Sequence, residues 1–93
     1  MPLTFLISGP LRELADNRGE VRVDGRAASL GDALSLLWNE WPSFRDRVVT
    51  EAGDLRPHLN VFVDGEDIRY SGGFATPVRE GAEIVILPAV SGG

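Results

Sequence analysis

One stretch restricts the fold of this chain more than any other. Between Ser29 and Trp41, the residues Leu30, Ala33, Leu34, Leu37, Trp38 and Trp41 recur at i, i+3, i+4, i+7, i+8 and i+11, so all six share one face of a helix. Ser29 is a good N-cap, and Asp32 three residues on sets a carboxylate in the first turn, where the helix dipole favours it. Pro42 disfavours the α conformation at Trp41, so the helix is expected to stop at Glu40 or Trp41. The two tryptophans lie on the apolar stripe and read as core rather than as a ligand-stacking platform.

A helix with a single apolar face has to bury it against something, and most of the remaining chain reads as strand. Leu3, Phe5 and Ile7 alternate with Thr4, Leu6 and Ser8 up to Gly9-Pro10, while Glu20-Val21-Arg22-Val23-Asp24 alternates cleanly after the turn signal Asn17-Arg18-Gly19. These two runs predict a hairpin across a long loop, closed at Asp24-Gly25. Residues 43 to 58 mix charges with Phe44, Val48 and Val49 and predict a short helical turn, then a loop around Gly53-Asp54. Leu59-Asn60-Val61-Phe62-Val63 runs into Asp64-Gly65, a strong hairpin signal, with Ile68-Arg69-Tyr70 as the expected returning strand. Ser71-Gly72-Gly73 and the stretch from Pro77 to Gly81 are turns that feed the most apolar run, Glu83-Ile84-Val85-Ile86-Leu87.

The order is ββαβββ, an α+β domain whose mixed sheet has one face covered by the helix. The opposite face would then show Leu6, Phe62, Val85 and Leu87, and contiguous apolar side chains left uncovered mark a partner surface.

The 93 residues make one domain, expected to span 1–87, with 88–93 as a flexible tail. Pro88 cannot donate to a ladder and is the expected point at which the last strand stops. The tail Pro88-Ala89-Val90-Ser91-Gly92-Gly93 ends in two residues without Cβ, which can thread a narrow channel and leave the terminal carbonyl carbon open to attack.

Charge and composition exclude several classes of function. A net charge of −5 argues against nucleic acid, whose affinity comes from Lys and Arg at the phosphates, and favours a protein partner with a basic surface. The start lacks a basic n-region, and no run approaches membrane-spanning length, so a cytoplasmic protein with no membrane partner is expected. All nine basic residues are arginines and there is no cysteine, which removes amine and thiolate nucleophiles and thiolate metal sites from the side chains. His58 is the single histidine and has no nucleophile motif beside it; Asp64, Glu66 and Asp67 cluster where a hairpin turn already favours such residues. No metal site and no bound cofactor are expected. Ser71-Gly72-Gly73 matches neither phosphate-binding glycine pattern.

The run from Leu59 to Tyr70, the turn centred on Gly81, and Ile86-Leu87-Pro88-Ala89-Val90-Ser91-Gly92-Gly93 together resemble the small ubiquitin-like sulfur carriers. That family includes the small subunit of molybdopterin synthase, the thiamine sulfur carrier and a carrier used in bacterial cysteine synthesis. The resemblance extends from Leu11-Arg12-Glu13-Leu14 onward; Ser91 stands where alanine is common, and Ala82-Glu83 replaces a frequent Asp-Glu pair. It implies a β-grasp fold and a protein cosubstrate rather than an enzyme, with Gly93 as the carrier glycine supported by Gly92. A partner enzyme would spend ATP to adenylate Gly93, and a persulfide or sulfide donor would convert it to a thiocarboxylate. The acceptor would be the large subunit of molybdopterin synthase or a cysteine synthase. Docking would fall to Leu6, Phe62, Val85, Leu87, Pro88, Ala89, Val90 and Ser91. The same activated glycine also fits a ubiquitin-like modifier that forms isopeptides.

Overall fold

In the computed structural model, which describes residues 2–88, five strands build one mixed sheet. Strands β1 (Leu3–Ile7) and β2 (Glu20–Val23) form the expected antiparallel hairpin, with Phe5 opposite Val21. Helix α1 (Leu30–Glu40) and a short α2 (Phe44–Val48) follow. Strand β3 (Leu59–Val63), the two-residue β4 (Glu66–Asp67) and β5 (Glu83–Pro88) complete the order β2-β1-β5-β3-β4. β5 is therefore central although it comes last in the chain, parallel to β1 on one side and antiparallel to β3 on the other.

The helix obeys its local signals. The Ser29 hydroxyl accepts from the Asp32 amide at 3.3 Å, and the Trp41 amide closes the last turn on the Leu37 carbonyl at 2.8 Å before Pro42 breaks the backbone. Leu30, Ala33, Leu34 and Leu37 are buried, and Trp38 and Trp41 pack on the edge of the core. Arg18 lies over the Trp41 ring, its guanidinium carbon 5.9 Å from the ring centre. The inward residues of the strands, among them Phe5, Ile7, Val61, Ile84 and Ile86, meet this helix face in one core.

Two local readings need correction. Ile68–Tyr70 is a 3-10 turn rather than a strand, and the returning strand is only Glu66–Asp67. The Asp67 carboxylate accepts from the Arg69 amide at 2.9 Å, which caps the turn, and Ile68 gains burial by dropping into the core instead of continuing along the edge. The expected loop after β1 begins with a second 3-10 stretch, Gly9–Ala15, with Pro10 near its start and Leu11 and Ala15 buried. The Asp64-Gly65 turn is as expected, with positive φ at both residues (48° and 86°), the geometry that suits a tight hairpin.

Candidate functional site

Alternation along the strands decides which side chains the helix side cannot reach. Phe5 and Ile7, Ile84 and Ile86, and Val61 and Val63 point into the core, so Leu6, Val85, Leu87, Asn60 and Phe62 point the other way. The register then brings separate segments together: Leu6 stands opposite Val85, and Val85 opposite Phe62. Three strands at roughly 4.8 Å spacing thus place these residues in one transverse row about 10 Å long. Leu87 lies beside Asn60 in the next row toward the end of β5. All four apolar residues are half-buried and, among the described residues, belong neither to the core cluster nor to the side chains packed against it.

Phe62 in particular stays outside the core cluster. The Gly9–Ala15 stretch, which could have covered it, sends Leu11 and Ala15 into that cluster and packs near α2 and β5.

Carboxylates frame the row. Glu20 stands opposite Leu6 at one end, Asp67 opposite Phe62 at the other, and Glu83 lies on the same face of β5 two residues before Val85. Glu20 is held by Arg22 at 3.3 Å, a solvent-exposed pair that adds little stability. The sequence pattern identified the apolar members of this surface. Glu20 was legible in the alternation of β2, but Asp67 joins the row only through the true hairpin register, and Asn60 only through its pairing with Leu87.

The end of β5 has its own construction. Pro88 pairs with Leu59 as the last residue of the strand, one position beyond the expected stop at Leu87. The Ile86 carbonyl accepts from the Ser8 amide on the β1 side at 3.3 Å, and alternation puts the ring nitrogen of Pro88 on that side too. There β1 has already turned away at Gly9, so the missing N–H leaves no ladder bond unmade. A side chain at Gly9 would come within 3.4 Å of the Pro88 ring, and the positive φ of Gly9 (64°) lets the chain turn beneath it. The expected site residues Ala89, Val90, Ser91, Gly92 and Gly93 lie outside the described residues.

The other candidates resolve into local roles. The Asp64 carboxylate accepts from the Glu83 amide at 2.9 Å and Asp67 caps the following turn, so two of the three clustered acids are engaged by main-chain N–H groups. Among the described residues no group of three or more metal-ligating side chains converges, and no helix is long and apolar enough to cross a membrane. His58 is exposed at the turn before β3. Clefts of about 390 and 510 Å³ open elsewhere, one around Phe74 and one around Arg26 and Arg79, and neither includes a residue of the apolar row. The row is a shallow surface of the kind that another protein covers.

A mixed sheet with a central last strand, one main helix on one face and an uncovered apolar row on the other defines a β-grasp, ubiquitin-like protein. The ThiS family model matches residues 5–93, and the chain belongs to this family of small ubiquitin-like sulfur carriers. It is 35% identical over 77 residues to the sulfur carrier protein CysO of Mycobacterium tuberculosis, covering 81% of this chain and 83% of that protein. The crystal structure of the Amycolatopsis orientalis BexX/CysO complex contains a chain that superposes with a TM-score of 0.84 at 32% identity, covering 98% of this chain and 99% of that one. Small archaeal modifier protein 1 of Haloferax volcanii superposes with a TM-score of 0.81 at 30% identity, covering 96% and 98%.

Proposed function

We propose that this protein is a sulfur carrier, a cosubstrate with no catalysis of its own, and that Gly93 carries the sulfur. The single observation behind the reading is a match to the ThiS family through residue 93, in a chain whose last residues are Gly92 and Gly93. A carboxylate is a poor electrophile. A partner enzyme would therefore transfer AMP from ATP to the Gly93 carboxylate, releasing pyrophosphate. A persulfide or sulfide donor would then attack the acyl carbon and expel AMP. With a persulfide the first product is an acyl disulfide, which a thiol reductant cleaves to the thiocarboxylate; sulfide gives it directly. Gly92 and Gly93 suit this chemistry because neither presents a side chain to the nucleophile or to the walls of a channel.

In this reading the row Leu6, Val85 and Phe62, with Leu87, docks on the activating and acceptor enzymes, and Pro88 to Ser91 lead the terminal glycines into their active sites. The acids around the row suit a partner with a basic rim. The CysO chain solved in complex with BexX supports the idea of a protein partner. The acceptor is an enzyme of the cysteine-synthase type or the large subunit of molybdopterin synthase, with resemblance to CysO favouring the former. The reaction belongs in the cytoplasm, where ATP and the enzymes would be met.

A second reading is favoured by one observation, 37% identity over 84 residues to small archaeal modifier protein 1 of Haloferax volcanii, which is named a modifier. Activation would be the same, but a lysine of another protein would take the acyl group. Intact mass spectrometry after incubation with the adenylating enzyme, ATP and sulfide separates the two. The carrier reading expects one added mass equal to the exchange of an oxygen for a sulfur; the modifier reading expects a ladder of heavier conjugates when cell extract is added. Deleting Gly93 should abolish both products while leaving the melting curve unchanged. Full-rate adenylation of the deleted protein would refute Gly93 as the site.

A further inference from the structure

Asn60 is chemically out of place on the uncovered face. It lies two residues before Phe62 on β3 and opposite Leu87 on β5, so its amide sits between the apolar row and the end of the last strand. Its Oδ1 is buried and, among the described residues, accepts no hydrogen bond. A buried amide oxygen without a donor weakens a fold, because water was given up and nothing replaced it. A leucine of nearly the same shape would fit beside Leu87 without that penalty. The free protein thus carries a polar group that its own described structure does not use.

We propose that Asn60 is a specificity-determining acceptor for the activating enzyme, an inference that rests on the docking face described under the proposed function. Rotation about χ2 turns Oδ1 from the sheet toward the surface, where a partner N–H can meet it. Asn60 and Phe62 are separated by two residues along one strand, roughly 7 Å, so the partner would carry a donor at about that distance from the pocket that takes Phe62. Of the framing acids only Asp67 borders this end of the row, and Arg69, which pairs with Asp67 and donates to the Leu59 carbonyl beside Asn60, offsets it, so a neutral amide or indole N–H suits as the donor. An apolar row alone accepts any greasy surface; because this oxygen already lacks a donor in the free protein, a partner that supplies one gains a hydrogen bond that other apolar surfaces do not.

The test titrates wild type, Asn60→Leu, Asn60→Asp and Phe62→Ala against the adenylating enzyme of the same organism, with thermal melts of each free protein. Asn60→Leu should raise Kd by about tenfold, the cost of stranding the partner's donor, while its melting temperature stays equal to wild type or rises. Asn60→Asp keeps an acceptor and should bind more tightly than Asn60→Leu. A Kd for Asn60→Leu within about twofold of wild type would overturn the proposal. So would a lowered melting temperature in that variant, which would make Asn60 a structural residue already satisfied in the free protein. Asn60→Asp binding no better than Asn60→Leu would mean that the partner reads the amide N–H₂ rather than the oxygen, again against the proposal. Phe62→Ala guards the underlying reading: if it binds as wild type, the face is not the docking surface, whereas lost binding with Asn60→Leu intact condemns only the role of Asn60.

Discussion

Phe5 and Leu6 are neighbours in β1, yet their surroundings have almost nothing in common. Phe5 is 0% exposed and packs among residues from the helix and both adjoining strands, whereas Leu6 is half-buried and shares its face with Val85, Phe62 and three carboxylates. The same contrast repeats at Ile84 and Val85, and at Val61 and Phe62. The strands carry two messages interleaved at a period of two: one set of side chains specifies the fold, and the other is left free to specify what the fold meets. A substitution's consequence should therefore depend on the parity of its position more than on its size.

The strongest way to break that comparison is on the core side. Phe5→Ala empties a fully buried site and should cost about 3–5 kcal/mol, a large share of the stability of so small a domain. Urea denaturation should show it mostly or wholly unfolded; a midpoint close to wild type would mean that the two faces have been assigned the wrong way round. On the other side, Phe62→Ala removes a side chain of similar size but should act on binding. Interface aromatics that fill a partner pocket contribute about 2 kcal/mol or more, so Kd for the adenylating enzyme should rise roughly 30-fold, with a much smaller fall in melting temperature than for Phe5→Ala. Unchanged affinity with a large thermal loss would return Phe62 to a structural role. The smallest expected effect lies in the helix that covers one face only. Ser29→Ala deletes the cap on the Asp32 amide and should cost about 0.5–2 kcal/mol without altering affinity, checked by calorimetry beside the same titration.

The parts of this molecule legible in its sequence are those written in short-range physics. The stripe from Leu30 to Trp41 with Ser29 before it and Pro42 after it gave the helix to within a residue, because caps and periodicity act locally. The Asp64-Gly65 turn was legible for the same reason. Ile68–Tyr70 was misread since its apolar and polar residues alternate as a strand would, and only tertiary burial of Ile68 tells the chain to coil instead. The Gly9–Ala15 stretch was hidden by a proline and by a length too short for periodicity to register. At the candidate site, the apolar members were predictable from alternation, but the straight line through Leu6, Val85 and Phe62 is a property of three strands in register. Asn60 was read only as part of a strand, because the stranded state of its oxygen depends on neighbours that the sequence does not order.

The central position of β5 has a consequence for how the protein comes into being. Without that strand β1 and β3 have no common neighbour, so the two halves of the sheet remain apart until the last strand in chain order has left the ribosome and inserted between them. Such closure joins residues near opposite ends of the chain and is the slow, non-local part of folding. A polypeptide stalled or clipped before Glu83 has an exposed strand edge on each side of the gap, a ready target for proteases and aggregation. Residues 89–93, which include the glycine of the proposed chemistry, thus follow directly on the central strand of the sheet, so a change that loosens β5 would disturb the two halves of the sheet and the base of that segment together.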